Sequence, residues 1–191
     1  IDPGTIVKLE GARIEAGIGA QFLAEGVDGN EVVLTSLQDD LYGFGGTFDT
    51  SNNGEAAVEA LPGDWGGLYA GQASTLSMDH AVVQYGGGTT RIEGTTAGFN
   101  ALEIHQASAR IAHTEFRYNT DGSGGQAGPE RIGRGTNDDG VIFVRGAQPI
   151  LWANVIQDNE AAAININANS LNHMIVADMG RSTYPRTGLK K

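Results

Sequence analysis

The chain has 191 residues, of which 12 are basic and 23 acidic, so its formal net charge is -11. This acidic balance disfavours nucleic acid and anionic membrane surfaces as partners, and the lack of cysteine excludes disulfides and thiolate metal sites. No run of about 18 apolar residues is present, so we expect no membrane insertion. The 40% hydrophobic content is enough for a core, and we expect a single domain over residues 1–191.

Short bursts of apolar residues run along the whole chain, and Gly, Asn and Asp separate them. Apolar residues at a spacing of two predict β-strands. The predicted strands follow in chain order at 7–10, 12–16, 22–25, 32–35, 68–70, 76–78, 81–83, 102–105, 142–145 and 164–167. The fold class is therefore predicted to be all-β.

The bursts form a repeat. Met78, Ile111, Leu151 and Leu171 align at one position of successive units, and the shortest unit has about 20 residues. Three short strands in a unit of that length are typical of one coil of a parallel β-helix. We predict a right-handed parallel β-helix (a solenoid) of about six to seven coils, two of them within residues 1–36. The hand follows the general rule for parallel crossovers.

Three stretches interrupt the repeat, at 37–63, 86–100 and 120–139. Each is rich in glycine and short polar residues, and each ends just before the same strand of its coil. We therefore expect three inserted loops at one corner of the solenoid, stacked into one wall. Loops carry function more often than the strands that support them.

Several segments resemble secreted bacterial parallel β-helix repeat proteins: residues 3–8, 23–26 with 32–36, 62–69 and 133–149. The resemblance implies a segment of a longer extracellular or cell-surface protein, whose ends meet neighbouring β-helix coils or other chains. We predict a structural or adhesive module of such a protein, a rigid rod that displays loops ordered by calcium. Related folds include polysaccharide lyases, so the alternatives are a lyase or hydrolase of polysaccharide and a glycan-binding module. Fold alone does not choose among them.

The first inserted loop contains Asp-Thr-Ser-Asn-Asn-Gly at 49–54, which follows the oxygen-ligand spacing of a calcium loop except for its serine. No glutamate stands at the twelfth position of the pattern, where Ala60 lies. The candidate calcium ligands are Asp39, Asp40, Asp49, Ser51 and Asn53. The alternative is a solvated loop without metal.

The third inserted loop holds a weaker candidate cation site at Asn137, Asp138 and Asp139. Arg131 and Arg134 lie in the same loop, and the favoured interpretation is that they pair with these carboxylates. No organic cofactor is expected.

The strand at 102–105 carries a possible catalytic face. Leu102 and Ile104 are predicted to point inward, so Glu103 and His105 point outward, with Arg145 beside His105 in the next coil. Glu103, His105 and Arg145 are candidates for acid–base chemistry on an acidic polysaccharide. The favoured interpretation is an ordinary exposed face without catalysis.

Two aromatic residues are predicted to stack on Glu103 from neighbouring coils. Tyr69 and Phe143 are therefore candidate platforms for sugar rings.

Three histidines, His80, His113 and His173, align at one position of the repeat, where another unit has Ala153. Because His173 is about two coils beyond His113, ligation of one zinc ion by all three is disfavoured. We expect a hydrogen-bonded row of side chains at a corner of the solenoid.

Overall fold

The computed structural model describes residues 1–43, 49–51, 60–92, 95–122 and 137–167. Within these ranges the secondary structure is all-β, and no helix there is long and apolar enough to cross a membrane. The strands in chain order are β1 (Ile6–Leu9), β2 (Arg13–Ala16), β3 (Gln21–Glu25), β4 (Val32–Ser36), β5 (Gly67–Ala70), β6 (Thr75–Asp79), β7 (Ala81–Gln84), β8 (Thr89–Ile92), β9 (Thr95–Gly98), β10 (Leu102–His105), β11 (Ser108–Ala112), β12 (Glu115–Arg117), β13 (Ile142–Arg145), β14 (Ile150–Trp152), β15 (Val155–Gln157) and β16 (Ile164–Ile166).

All of these strands except β8 and β9 form three parallel sheets, which the chain visits in rotation. Sheet A has the order β1-β4-β7-β12-β15, sheet B the order β2-β5-β10-β13-β16, and sheet C the order β3-β6-β11-β14. From β2 to β15 the chain passes through sheets B, C and A four times, with β1 before these turns and β16 after them. This rotation is consistent with a β-solenoid.

The predicted alignment of the repeat is confirmed where the structure describes it. Met78 pairs with Ile111 and Ile111 with Leu151, whereas Leu171 lies outside the described residues. Side chains alternate between the interior of the turns and the outside, as the pleat of a strand requires. The fully buried interior side chains include Leu68, Leu76, Met78, Leu102, Ile104, Ile111, Phe116 and Ile142. Each contributes roughly 1.5–3 kcal/mol to folding through its burial.

The corners between sheets use left-handed backbone at matching positions of successive turns. Between sheets C and A these residues are His80, His113 and Ala153, with φ of 43°, 45° and 53°. Histidine is among the non-glycine residues enriched in this conformation. The repeat therefore fixes where the two histidines lie, because the corner recurs at the same place in each turn.

The inserted stretches 37–63, 86–100 and 120–139 each connect a strand of sheet A to the next strand of sheet B. The second is not an irregular loop throughout, because β8 and β9 form an antiparallel hairpin within it. Its run of threonines at 89–90 and 95–96 supplies the β-branched residues that favour strands.

Among the described residues the chain makes four complete turns, with one further strand at each end. Residues 1–36 make one turn and a single preceding strand rather than two coils, and the two largest sheets are five strands wide among the described residues. The predicted total of six to seven coils also includes residues 168–191, which lie outside the described residues, so the total stays a prediction.

Candidate functional site

The inserted segments pack against one another at the junction of sheets A and B. We call their described parts, 37–43, 49–51, 60–63, 86–92, 95–100, 120–122 and 137–139, the loop wall. Backbone hydrogen bonds connect successive layers of it, from Gly63 N to Tyr85 O, from Thr120 N to Gly86 O and from Gly122 N to Gly87 O, at 3.1, 3.0 and 3.1 Å. A methyl group on Gly88 would lie 1.9 Å from the Gly63 carbonyl oxygen. The layers are therefore in direct backbone contact.

Beneath the loop wall, Glu103 and His105 form a buried pair on the outer surface of sheet B. Their exposed fractions are 0% and 1%, and His105 Nε2 lies 2.8 Å from Glu103 Oε2. The other carboxylate oxygen of Glu103 accepts hydrogen bonds from the Asn100 backbone N–H at 3.1 Å and from Asn137 Nδ2 at 3.0 Å. The pair therefore joins the strand to two insertions, 86–100 and 120–139.

Aromatic rings enclose His105 from both neighbouring strands. The Tyr69 ring stacks on the imidazole with centroids 4.9 Å apart, and the Phe143 ring lies 5.5 Å away. Phe99 from the loop wall contacts Tyr69 edge-on at 6.4 Å. The imidazole therefore lies between two aromatic rings and next to the Glu103 carboxylate.

One polar atom of the pair has no hydrogen-bond partner among the described residues, namely His105 Nδ1. A carboxylate only accepts hydrogen bonds, so Nε2 donates its proton to Glu103, and in the neutral ring Nδ1 is then an acceptor. This assignment of the proton follows from the hydrogen-bond network. A buried acceptor without a donor lowers the stability of the fold.

The structure corrects the expected exposed face. Leu102 and Ile104 point inward and Glu103 and His105 point outward, as predicted, and Glu103 pairs with Tyr69 and Phe143. The loop wall nevertheless covers this face, so neither member of the buried pair reaches solvent.

The remaining candidates on this face differ in exposure. Arg145 pairs with His105 in register and is half-buried. Tyr69 is half-buried, whereas Phe143 is only 2% exposed and presents no ring face to a sugar. Sequence reasoning missed the covering role of Asn100 and Asn137, because Asn100 bonds Glu103 through its backbone N–H and Asn137 lies 34 residues away in the chain.

The proposed calcium ligands in the first insertion are held by protein donors. Asp39 is buried and accepts hydrogen bonds from Thr35 Oγ1, Gln84 Nε2 and the Leu41 backbone N–H. Asp40 Oδ1 accepts from the backbone and hydroxyl of Thr50, at 3.0 and 2.8 Å.

The rest of this candidate set is only partly described. Ser51 Oγ donates to Asp49 Oδ1 at 3.1 Å, and Asn53 lies outside the described residues. The calcium site stays a prediction.

Buried polar contacts continue from Asp39 across sheet A. Gln84, which donates to Asp39, accepts a hydrogen bond from Arg117 Nε at 2.8 Å. Arg117 also donates to the Tyr42 hydroxyl at 2.9 Å. Burial raises the pKa of Tyr42, although Arg117 opposes the shift. This network connects the first insertion to strands β7 and β12 of sheet A.

The second candidate cation site is divided by the structure. Asn137 uses its amide N–H groups to bond Asn100 Oδ1 at 2.8 Å as well as Glu103, so it serves as a donor. Asp138 and Asp139 are exposed. Arg131 and Arg134 lie outside the described residues, so their pairing with these carboxylates stays a prediction.

A separate cluster lies at the corner between sheets C and A. We call Asp79, His80 and His113 the histidine corner. His113 Nδ1 donates to Asp79 Oδ1 at 2.9 Å, and His80 Nδ1 lies 2.8 Å from the same oxygen. The two imidazole rings stack with centroids 4.7 Å apart. The expected row of histidines is thus present for His80 and His113, and His173 lies outside the described residues.

The electrostatics of the corner favour an ionised Asp79. Burial opposes ionisation, but hydrogen bonds from His113 and Arg110 outweigh it and lower the pKa of the carboxyl from 3.8 to about 2. Arg110 binds the second oxygen, Oδ2, at 2.7 Å. Sequence reasoning missed Asp79 because it considered only the histidines. The signal available was an Asp-His pair in one repeat followed by His at the matching position of the next.

Comparison with protein-family models, with curated proteins and with solved structures found no match for this chain. The loop wall, the buried pair and the histidine corner are therefore the features that bear on function.

Proposed function

We propose that the chain is a segment of a right-handed parallel β-helix that serves as a structural or adhesive module, a rigid scaffold that displays the loop wall. The rotation through sheets B, C and A supports the solenoid. The right hand rests on the general preference of parallel crossovers for that hand. In this proposal the natural setting is a secreted or cell-surface protein, in keeping with the resemblance of residues 3–8 and 62–69 to such proteins.

The observation that carries the proposal is the use of polar side chains to fasten the insertions to the sheets. Asp39 in the first insertion, Asn100 in the second and Asn137 in the third all form hydrogen bonds to neighbouring layers or strands. A scaffold needs loops that keep their relative positions, and buried hydrogen bonds provide this because breaking them leaves unsatisfied polar groups.

Burial argues against the enzymatic alternative at Glu103 and His105. General acid–base catalysis requires the catalytic group to lie within hydrogen-bonding distance of the substrate. Side chains that are 0% and 1% exposed do not contact a polysaccharide. We therefore place the partner surface on the outside of the loop wall, with polysaccharide or protein as the partner.

End-to-end contact with further coils or other chains is part of the proposal. Ile164 and Ile166 continue the interior rows of Ile142 and Val144, so the last described strand extends the stack of sheet B.

An assay of polysaccharide cleavage tests the scaffold against the enzyme. Purified protein and Glu103→Gln are incubated with a panel of acidic and neutral polysaccharides, and new reducing ends and unsaturated products are measured. The scaffold predicts no turnover by either protein. Turnover by the native protein that Glu103→Gln abolishes would contradict it.

Calcium ordering of the first insertion is a separate part of the proposal. Thermal unfolding is compared in EDTA and in millimolar calcium, with Asp49→Ala as the matched variant. Because a ligand that binds only the native state stabilises it, calcium is expected to raise the melting temperature of the native sequence but not of the variant. Identical melting temperatures in calcium and EDTA would remove calcium from the account while leaving the scaffold intact.

A further inference from the structure

We propose that the histidine corner is a binding site for a divalent transition-metal ion of the zinc type. The observation is convergence: one ligand atom each from Asp79, His80 and His113 lies within 4.8 Å of the other two. No other group of three His, Asp or Glu side chains among the described residues brings its ligand atoms this close together.

The convergence follows from the repeat. Strand β6 ends at Asp79 and strand β11 ends at Ala112, which are cross-strand partners. The next residue in each turn is the left-handed corner residue, His80 or His113. Neighbouring strands are about 4.8 Å apart, so the two rings stack, and both Nδ1 atoms face the same oxygen of Asp79.

The donor set selects the class of ion. Two imidazole nitrogens and one carboxylate oxygen suit Zn²⁺ and neighbouring first-row ions, whereas Ca²⁺ and Mg²⁺ prefer sites made only of oxygen. Three protein ligands leave a fourth position for water. The site is thus of a different chemical type from the calcium loop predicted in residues 39–54.

The distances correspond to hydrogen bonds rather than to metal ligation. Tetrahedral ligands bound at about 2.0–2.1 Å lie about 3.3 Å from one another. The nitrogens are now 2.8 and 2.9 Å from Asp79 Oδ1, so an ion requires them to separate by about half an ångström. It also replaces the Nδ1 proton that His113 donates to the carboxylate. Because the side chains of His80 and His113 are 30% and 42% exposed, their rings have room for this movement.

Two charged neighbours orient and surround the site. Arg110 binds Asp79 Oδ2 and leaves Oδ1 directed at the histidines, the kind of contact that orients metal ligands from outside the first shell. Glu25 is the cross-strand partner of Asp79 in the preceding turn and adds a negative charge on that side. Because Asp79 and His80 belong to one turn and His113 to the next, a bound ion would connect two turns.

The experiment is a zinc titration of the full chain by calorimetry, with thermal unfolding as a second readout. We expect one zinc ion per chain and a higher melting temperature with zinc. The variants His113→Asn and Asp79→Asn each remove one ligand, and asparagine tolerates the left-handed backbone at position 113. Each is expected to weaken zinc binding by at least about tenfold. The matched control is His173→Asn, which changes a histidine that is not one of the three proposed ligands and should bind zinc like the native sequence.

Absence of zinc binding would overturn the proposal, as would binding that survives Asp79→Asn and His113→Asn or that His173→Asn abolishes. Far-UV circular dichroism checks that each variant is folded. X-ray absorption of the zinc-loaded native protein gives the ligands without any variant. Two imidazoles and an oxygen donor support the site, and a shell of oxygen alone contradicts it.

Discussion

The buried pair and the histidine corner use the same chemistry in adjacent parts of the fold, with opposite outcomes. Each brings a carboxylate within 2.8 Å of an imidazole nitrogen on the outside of a sheet. Glu103 and His105 are covered by the loop wall, whereas Asp79, His80 and His113 lie at a corner without an insertion and keep contact with solvent. Coverage by the insertions therefore decides whether such a pair supports the fold or is open to a ligand.

The largest expected loss of stability is at the buried pair, Glu103 and His105. Glu103→Ala leaves two buried donors, His105 Nε2 and the Asn100 backbone N–H, without their acceptor. It should lower the free energy of unfolding by about 1–3 kcal/mol for each of them. Glu15→Ala is the matched control, since Glu15 occupies the same register position through Tyr69 but is exposed. It should cost less than about 1 kcal/mol. Urea unfolding measures both, and equal costs would contradict the difference in burial.

A second change tests the packing of the loop wall. Gly88→Ala places a methyl group against the Gly63 carbonyl, so the layers must separate, at a cost of about 1–3 kcal/mol. Gly17→Ala is the control, because nothing lies within 4 Å of the added methyl there. A Gly88→Ala protein as stable as Gly17→Ala would mean that the layers are not in contact.

The smallest change in stability is expected at the histidine corner. In EDTA, Asp79→Ala breaks contacts to partly exposed His113 and Arg110 side chains, so it should change the unfolding free energy by less than about 1 kcal/mol. Urea unfolding under the same conditions as for Glu103→Ala checks this. A loss as large as that of Glu103→Ala would show that the corner is a structural element in its own right.

The sequence predicts those features that depend on periodicity. The partners of Glu103 in both neighbouring strands and the pairing of Met78 with Ile111 follow from the repeat, because parallel strands in register stack equivalent residues. Each insertion joins sheet A to sheet B, and this too follows from the sequence because all three interrupt the repeat at the same place.

The features that the sequence does not predict depend on contacts across the insertions. Asn100 lies three residues before Glu103, but its residue type does not indicate that its backbone N–H bonds the carboxylate. The contact from Asn137, 34 residues later, arises only when the third insertion folds back over sheet B. The exposure of Glu103 was therefore predicted wrongly although its direction was predicted correctly. Asp79 was missed for a different reason, because a cluster of mixed residue types does not stand out in the sequence as a row of histidines does.

Chemical modification of the histidines compares the two regions in a single sample. The native protein in EDTA is treated briefly with diethyl pyrocarbonate, and the modified fraction of each histidine is measured by peptide mass spectrometry. Our account predicts rapid modification of His80 and His113 and protection of His105 until the protein unfolds. Modification of His105 as rapid as that of His113 would contradict the account, because it would mean that the loop wall does not cover the buried pair.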